Sequence, residues 1–271
     1  MKKIINWIFS AILLCGTMVF TSCDPNDDIK PIENLSEKII GKWMVAARDG
    51  NPAPTNRKKV YTFVSATKAY VSASIADNPV AGMWQEQMEA DVVINGNKIT
   101  LTSHPDEHTT GVEEFIITDI DDTDFTTNQK VNVTVDGRVV FSEDFALRFE
   151  KVTVDYREAI LGTWEGRCTS EGSVFDDGQE HRWQYKADGT YAYYAKDGDN
   201  WVLYGNDTLN EYFVDGNLLC TRWIEDGVES REWWEISIED GNKMYWTALR
   251  RNEDGTTFTA TFEMSLVSNM P

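Results

Sequence analysis

Apolar and polar side chains alternate along much of the chain, and this alternation predicts β-strands. In the run from Phe258 to Met264 every second side chain is apolar, so the apolar side chains share one face of a strand. His181 to Lys186 alternates in the same way. Asn-Gly and Asp-Gly pairs follow such runs at short intervals, and these pairs tolerate the positive φ angles of hairpin turns. The pattern predicts an all-β fold, a meander of short antiparallel strands.

The chain also contains one unit twice. Glu37 to Trp43 recurs as Glu158 to Trp164, and further along each unit Phe145 to Glu150 recurs as Phe258 to Glu263. The aromatic positions that the two late segments share are Phe145 and Phe149 in the first copy and Phe258 and Phe262 in the second. Similar segments lie between these matches in the same order. Such ordered self-similarity indicates a tandem duplication.

Each copy is long enough for about seven or eight strands of typical length. A meander of that size buries its inner face best by closing on itself, which also removes its open edges. We therefore expect two tandem antiparallel up-and-down β-barrels, at residues 35–153 and 154–271.

The first residues predict an export signal. Two lysines precede an almost entirely apolar run from Ile4 to Phe20, and small residues then lead into Cys23. This arrangement resembles the bacterial lipoprotein lipobox, which implies cleavage before Cys23 and attachment of a lipid anchor to its sulfur. We expect a signal peptide at residues 1–22 and a lipid-anchored acidic tether at residues 23–34. An uncut transmembrane helix is the alternative that the apolar run leaves open.

The start of the tether, Asp24 to Asp28, resembles the acidic export signal of Bacteroidetes lipoproteins. The resemblance implies a cell-envelope protein that is lipid-anchored to the outer membrane and exposed on the cell surface. A solvated linker that carries no export signal also fits these residues. The sequence leaves open which leaflet of the outer membrane carries the anchor.

A tripeptide at the head of each copy resembles the Gly-x-Trp signature of the lipocalin and calycin families. Gly41 and Trp43 form it in the first copy, and Gly162 and Trp164 form it in the second. The resemblance is closest to the lipocalin-like domains that occur in tandem in Bacteroidetes lipoproteins. It implies that each tryptophan packs across the closed end of a barrel. It also implies a basic residue stacked over that tryptophan, for which Arg148 is the expected counterpart in the first copy.

The charge of the chain excludes one class of partner. Lys and Arg total 25 against 45 Asp and Glu, which gives a formal net charge of −20. Binding to nucleic acid needs a basic face that displaces counterions from phosphates. We therefore expect no nucleic-acid partner, and membrane association through the lipid anchor rather than through charge.

Most of the 10 Trp and 10 Tyr residues lie in the second copy. These side chains combine an apolar face with a polar tip, which suits a pocket for a ring or a sugar. The residues that the alternation places along such a pocket are Trp183, Tyr185, Tyr191, Tyr193, Trp223 and Trp234. The alternative is that these side chains fill the interior of a small barrel and leave no cavity.

Other chemistry is sparse. Cys168 and Cys220 are compatible with a disulfide in an oxidising compartment and equally with two free thiols. His104 and His108 are four residues apart, but Pro105 places them in a loop, so we expect no metal site. We find no nucleophile motif and no phosphate-binding loop, and we expect neither a catalytic residue nor a cofactor.

The sequence therefore favours a non-enzymatic surface lipoprotein that binds a small apolar, aromatic or carbohydrate ligand, such as a glycan, in its second barrel. The alternative is a structural or interaction protein whose filled barrels dock a cell-surface protein partner through exposed Trp and Tyr side chains. The sequence leaves the oligomeric state and the identity of the ligand open.

Overall fold

The computed structural model describes residues 30–74, 84–171, 173–204, 210–225, 227–252 and 254–268. Cys23, the predicted signal peptide and most of the predicted tether lie outside the described residues. Residues Pro31–Pro271 form one compact unit. In the described part of the chain, no helix has the length and the apolar character needed to cross a membrane.

The first sheet has nine strands after a one-turn helix, α1 (Leu35–Lys38). The strands are β1 (Gly41–Arg48), β2 (Asn51–Pro52), β3 (Val60–Ser65), β4 (Lys68–Ser74), β5 (Trp84–Asn95), β6 (Lys98–Ser103), β7 (Thr109–Ile120), β8 (Asp124–Val135) and β9 (Arg138–Lys151), with a 3₁₀ turn at Thr55–Arg57. Each strand after β2 pairs with its neighbour in the chain, and β9 returns to pair with β1. The result is a closed, eight-stranded antiparallel barrel with β2 as an appendage of β1.

The second sheet follows the same order but stays open. Its strands are β10 (Gly162–Cys168), β11 (His181–Tyr185), β12 (Tyr191–Asp197), β13 (Asn200–Tyr204), β14 (Glu211–Asp215), β15 (Leu218–Glu225), β16 (Val228–Glu239), β17 (Lys243–Arg251) and β18 (Thr257–Ser268). The sheet runs from β13 at one edge to β14 at the other, with β10 beside β18 in the middle. One isolated bridge, Thr190 to Glu211, joins its two sides.

The second sheet stays open because, within the described residues, it lacks a counterpart of the long strand β5 of the first sheet. There, β5 is long enough to pair with β4 along one part and with β6 along another. In the second copy the corresponding stretch is divided into the short strands β13 and β14. The predicted all-β class, with two tandem up-and-down antiparallel sheets, is confirmed, and the second sheet is a half-barrel.

Trp43 and Trp164 occupy equivalent positions at the start of the two sheets. Both are fully buried, and each indole Nε1 donates a 2.7 Å hydrogen bond to a carbonyl oxygen, of Ile39 and Ile160 respectively. The ammonium group of Lys151 lies 5.1 Å from the ring centroid of Trp43. The expectation that Arg148 would stack there is wrong, because Arg148 instead pairs with Glu150 and Asp124 on the outside of the barrel.

Side chains fill the interior of the first barrel. Trp43 contacts Phe125 edge to face, Phe125 stacks on Phe149, and Phe149 contacts Tyr61 and Phe115. Phe145 lies at the margin of this cluster. Within the same interior, the Tyr61 hydroxyl donates a 2.6 Å hydrogen bond to the buried carboxylate of Glu113, and the Gln129 amide donates another. The first barrel is therefore a packed structural body.

A shared apolar cluster joins the two sheets. Its buried members are Met44, Val60, Phe213, Leu218 and Cys220. Across the same junction, the buried carboxylate of Asp215 accepts hydrogen bonds from Lys42 and from Ser72. The Trp233 indole donates a 2.6 Å hydrogen bond to the carbonyl oxygen of Ser74.

Cys168 and Cys220, the two cysteines of the described residues, are free thiols. Cys168 packs against the interior cluster of the second sheet, whereas Cys220 belongs to the junction between the sheets. They lie on different faces of the second sheet, and this separation explains why they are not bonded.

Candidate ligand-binding site on the second sheet

Strand register places a line of aromatic side chains on the concave face of the half-barrel. Trp183 of β11 lies directly opposite the interior residue Trp164 of β10 and also opposite Tyr193 of β12. Tyr193 in turn lies opposite Tyr204 of β13. Directly opposed residues of an antiparallel pair share a face. These side chains therefore all point to the concave side.

The rings are in contact from the core to the solvent. The ring centroids are 4.7 Å apart between Trp246 and Trp183, 5.2 Å between Trp183 and Tyr193, and 5.9 Å between Tyr193 and Tyr204. Trp246 is 3% exposed and Tyr204 is 55% exposed. We call these four residues the aromatic row. The row offers ring faces at its outer end while its inner end is anchored in the core.

The concave face is open to solvent beside the outer end of the row. Val202 lies opposite Ala195 in the same register as Tyr204 opposite Tyr193, so it also faces the concave side. Val202 is 43% exposed. In a closed barrel this inward position would be covered. Here the divided strand leaves it accessible.

A histidine fixes the outer part of the row. The ring of His181 stacks on that of Tyr193, and His181 Nδ1 lies 2.8 Å from the Tyr193 hydroxyl oxygen. His181 Nε2 lies 3.1 Å from Asp177 Oδ1. Burial, helped by the negative charge of Asp177, raises the pKa of Tyr193 to about 12. The Tyr193 hydroxyl therefore keeps its proton at pH values where an exposed tyrosine loses it.

A second group of tyrosines lies deeper. Tyr185 contacts Tyr191 and Tyr212, and burial is the main cause that raises the pKa of all three. The Tyr212 hydroxyl donates a 2.7 Å hydrogen bond to the carbonyl oxygen of Lys186. The Tyr185 hydroxyl is buried and has no hydrogen-bond partner among the described residues.

The opposite wall of the interior combines rings with an ion pair. Trp234 contacts Trp246 and Phe175 at centroid distances of 5.4 and 5.3 Å. Arg250 Nη2 donates a 2.6 Å hydrogen bond to Glu232 Oε2. Burial raises the pKa of the Glu232 carboxyl, although the adjacent Arg250 opposes the shift.

Most of the residues predicted from the sequence therefore lie together. Trp183, Tyr185, Tyr191, Tyr193 and Trp234 all contribute to one interior cluster. Trp223 is half-buried on β15, and in the described part of the chain it makes no ring contact with them. The residues of this region that the sequence interpretation missed are Phe175, His181, Tyr204, Trp246 and Arg250.

Two surface clefts lie elsewhere. One, of about 600 Å³, borders α1 and β5 and includes Leu35, Thr67 and Val93. The other, of about 380 Å³, borders β5 and includes Gln87 and His104. Both are on the first sheet, away from the predicted ligand residues. Across the described ranges, no three His, Cys, Asp or Glu side chains are grouped as a metal site would require.

Fold and site together define a class: an all-β protein with a filled barrel and an aromatic-lined half-barrel. No protein-family model and no curated protein matches the chain. Among solved structures it resembles a Trp-176-Ala mutant of transferrin binding protein B from Haemophilus parasuis Hp5. The identity is 8%, the TM-score is 0.23, and the match covers 77% of this chain and 60% of that one. This chain thus spans about three fifths of that protein.

Two further structures show likenesses of the same order. Isotype 1 transferrin binding protein B from serogroup B Neisseria meningitidis is 7% identical, with a TM-score of 0.23 over 77% of this chain and 65% of that chain. A subtype N11 neuraminidase-like protein of A/flat-faced bat/Peru/033/2010 (H18N11) is 7% identical, with a TM-score of 0.17 over 86% of this chain and 95% of that chain. TM-scores this low carry no conclusion about what this chain does.

Proposed function

We propose that the protein is a non-enzymatic binding protein of the cell envelope, and that the concave face of its second sheet binds a small ligand with a flat apolar, aromatic or carbohydrate face. The observation that carries the proposal is the aromatic row. Its rings are in unbroken contact from buried Trp246 to exposed Tyr204. A folded chain ordinarily covers such rings, so a row whose outer end is accessible on a concave sheet suits a ligand.

The chemistry of the row supports stacking with polar orientation. An aromatic pair contributes about 0.5–1.5 kcal/mol beyond the area that it buries. The Tyr193 hydroxyl and the imidazole of His181 lie at the edge of the row, where they can fix the direction of a bound ring. The raised pKa of Tyr193 favours a hydrogen-bonding role over nucleophilic attack.

The proposal includes a location in the cell. In it, the chain is a lipocalin-like lipoprotein of the Bacteroidetes type, anchored to the outer membrane through lipid on Cys23 and exposed on the surface. It is supported by the basic and apolar start of the chain, the small residues before Cys23, and the acidic tether. The filled first barrel then acts as a rigid body between the tether and the binding sheet.

A second candidate is docking of a protein partner on β13. Leu203 is exposed on its convex side and Val202 on its concave side, so the strand presents apolar surface on both faces. Exposed apolar surface at a sheet edge is a frequent place for protein contacts. Ring binding by the concave face distinguishes the two candidates, because a docking strand alone has no need of Trp183.

The test is calorimetric titration of the full-length protein in lipid nanodiscs, with empty nanodiscs subtracted. Naphthalene-2-carboxamide, decanol and cellotriose represent the aromatic, apolar and carbohydrate classes. We expect saturable binding of one class and about tenfold weaker binding after Trp183→Ala, which removes the central ring of the row.

Trp201→Ala is the matched control, because Trp201 lies on the convex face of the same sheet, under Arg182. Equal weakening by both substitutions, or no binding of any of the three probes, would contradict the proposed site and favour the docking candidate.

A further inference from the structure

Arg250 lies inside the second sheet against two aromatic rings. Its guanidinium carbon is 4.8 Å from the ring centroid of Trp234 and 5.6 Å from that of Phe175. The two rings are in edge contact with each other. The cation is thus held in apolar surroundings, where its charge acts more strongly than it would in water.

The hydrogen bonds of Arg250 leave one side of the guanidinium unused. Nη2 donates to Glu232 Oε2 and, at 2.8 Å, to the carbonyl oxygen of Trp233. Nη1 is buried and has no acceptor among the described residues. A buried donor without an acceptor destabilises the folded state. An acceptor that reaches Nη1 from a ligand therefore supplies a hydrogen bond that the protein lacks.

Two more buried groups in this interior also lack a hydrogen-bond acceptor. Trp246 Nε1 and the Tyr185 hydroxyl have no hydrogen-bond partner within the described ranges. Trp234 connects Trp246 to Arg250, since its ring contacts both. All three groups can donate, so what this interior lacks is acceptors.

Phe175 differs from the other rings of the interior in its origin. It comes from the connection between β10 and β11, whereas Trp234 and Trp246 come from strands. Its ring covers the guanidinium of Arg250 and the edge of Trp234. A ring carried by a connection can leave this position without breaking a strand pairing.

We propose that Arg250 anchors the carboxylate of an aromatic ligand whose ring replaces Phe175 against Trp234. The proposal rests on the ring-binding function proposed above and extends it to the adjoining wall of the interior, where Trp234 contacts Trp246 of the aromatic row. A guanidinium matches the geometry of a carboxylate, and charge-assisted hydrogen bonds are about twice as strong as neutral ones. Glu232 shares the same guanidinium, so it competes with the ligand for the charge of Arg250.

Two isosteric probes separate the anchor from the ring. Naphthalene-2-carboxylate and naphthalene-2-carboxamide share one ring system and differ in charge. We would titrate both into the full-length protein in lipid nanodiscs at 0.15 M salt, where the net charge of −20 is screened beyond about 8 Å. We expect the carboxylate to bind about tenfold more tightly than the carboxamide.

Removing the covering ring favours the ligand. Phe175→Ala is expected to tighten binding of the carboxylate several-fold, because no ring has to be displaced. Val174→Ala is the matched control, since Val174 is the preceding residue and is 85% exposed. It is expected to leave both affinities unchanged. Unchanged carboxylate binding in Phe175→Ala would overturn the displacement of Phe175.

Two substitutions that break the same ion pair have opposite expected effects. Arg250→Gln removes the tenfold difference between the probes, whereas Glu232→Gln increases it, because Arg250 no longer shares its charge. A general loss of folding would weaken binding in both variants, so opposite responses report the anchor. Arg251→Gln, on the exposed face of the same strand, is expected to change nothing.

The outcomes distinguish this inference from the function on which it rests. Equal affinity for both probes in the wild type and in Arg250→Gln would overturn the anchor and leave ring binding intact. Failure of both probes to bind the wild type and Phe175→Ala would overturn this inference together with the aromatic class of ligand, whereas binding of decanol or cellotriose would leave the proposed function standing.

Discussion

Burial changes the acid–base chemistry of several tyrosines. Tyr61 and Tyr185 are fully buried, and burial is the largest cause that raises the pKa of each. For Tyr61, the neighbouring carboxylate of Glu113 raises the pKa further, because a tyrosinate would lie beside a negative charge. Both hydroxyls therefore stay neutral in the folded chain, and their ionisation is coupled to unfolding.

The coupling has a definite sign. The folded chain keeps these protons above pH 10, near the ordinary pKa of tyrosine, whereas the unfolded chain releases them. The free energy of unfolding is therefore expected to fall as the pH rises above 10, and the contribution of Tyr193 is lost as the pH passes about 12. Urea midpoints at pH 9, 10 and 11 measure this decline.

Tyr193→Phe should make the decline less steep, because one of the responsible protons is removed. Tyr245→Phe is the comparison, since Tyr245 lies opposite Glu263 on the convex face of the second sheet. Midpoints that stay constant from pH 9 to 11 in the wild type would show that tyrosine ionisation is not linked to unfolding.

Strand pairing around β10 depends on one glycine. A Cβ atom added to Gly166 would lie 2.0 Å from the carbonyl oxygen of Glu263 and 2.7 Å from the Cα atom of Met264, both on β18. Neither is the end of a flexible side chain, so the two strands would have to separate. We expect Gly166→Ala to lower the free energy of unfolding by about 1–3 kcal/mol or more, measured by urea unfolding.

Gly111→Ala provides the control in the first barrel. A Cβ atom there would meet the Ser103 hydroxyl at 2.9 Å, and a hydroxyl can rotate away. Its cost is expected to be smaller. Similar losses from both substitutions would argue against the close approach of β10 and β18.

The sequence predicted the elements well for a physical reason. Alternation with period two and Asn-Gly or Asp-Gly turns are local signals, and each was present in both copies of the repeat that begins at Trp43 and Trp164. The sequence could not show that the stretch matching β5 divides into β13 and β14, because closure depends on pairing between distant strands. The division into domains at residues 35–153 and 154–271 stays a prediction, as does lipidation at Cys23.

The candidate site was predictable only in part. Trp183 and Tyr193 lie on neighbouring strands whose sequences alternate between apolar and polar residues, so their shared face follows from the register of the pair. Tyr204 follows a stretch without a clear alternation, and Phe175 lies in a connection, where no periodicity applies. Trp246 and Arg250 could have been found, because alternate residues of β17 point inward.

The two sheets are tied together by a buried carboxylate. Asp215 of β14 is 1% exposed and accepts hydrogen bonds from Lys42 of β1 and Ser72 of β4. The Trp233 indole adds a direct bond to the carbonyl oxygen of Ser74. These contacts, with the apolar cluster around them, favour unfolding of both sheets as one cooperative unit.

Asp215→Ala is expected to lower the free energy of unfolding by about 3–5 kcal/mol, because it leaves the Lys42 ammonium without its buried partner. Calorimetry should then resolve two transitions where the wild type shows one. Asp155→Ala is the control: this exposed carboxylate lies 3.0 Å from the same ammonium, and its loss should cost less than about 1 kcal/mol. A single transition in Asp215→Ala would mean that the apolar cluster alone couples the sheets.

The second sheet is closed less firmly on one side than elsewhere. There, one isolated bridge, between Thr190 and Glu211, takes the place of a strand ladder. Widening the first barrel would require rupture of a whole ladder of backbone hydrogen bonds. In the second sheet, the hairpin of β11 and β12 is joined to β14 by this one bridge, by the hydrogen bond from the Tyr212 hydroxyl to the Lys186 carbonyl oxygen, and by the contact of Tyr212 with Tyr185. Because this seam has, among the described residues, fewer backbone hydrogen bonds than any side of the closed barrel, we expect it to yield first when the sheet is widened. Under the proposed function, ring chemistry and charge would then govern selectivity more than a fixed diameter does.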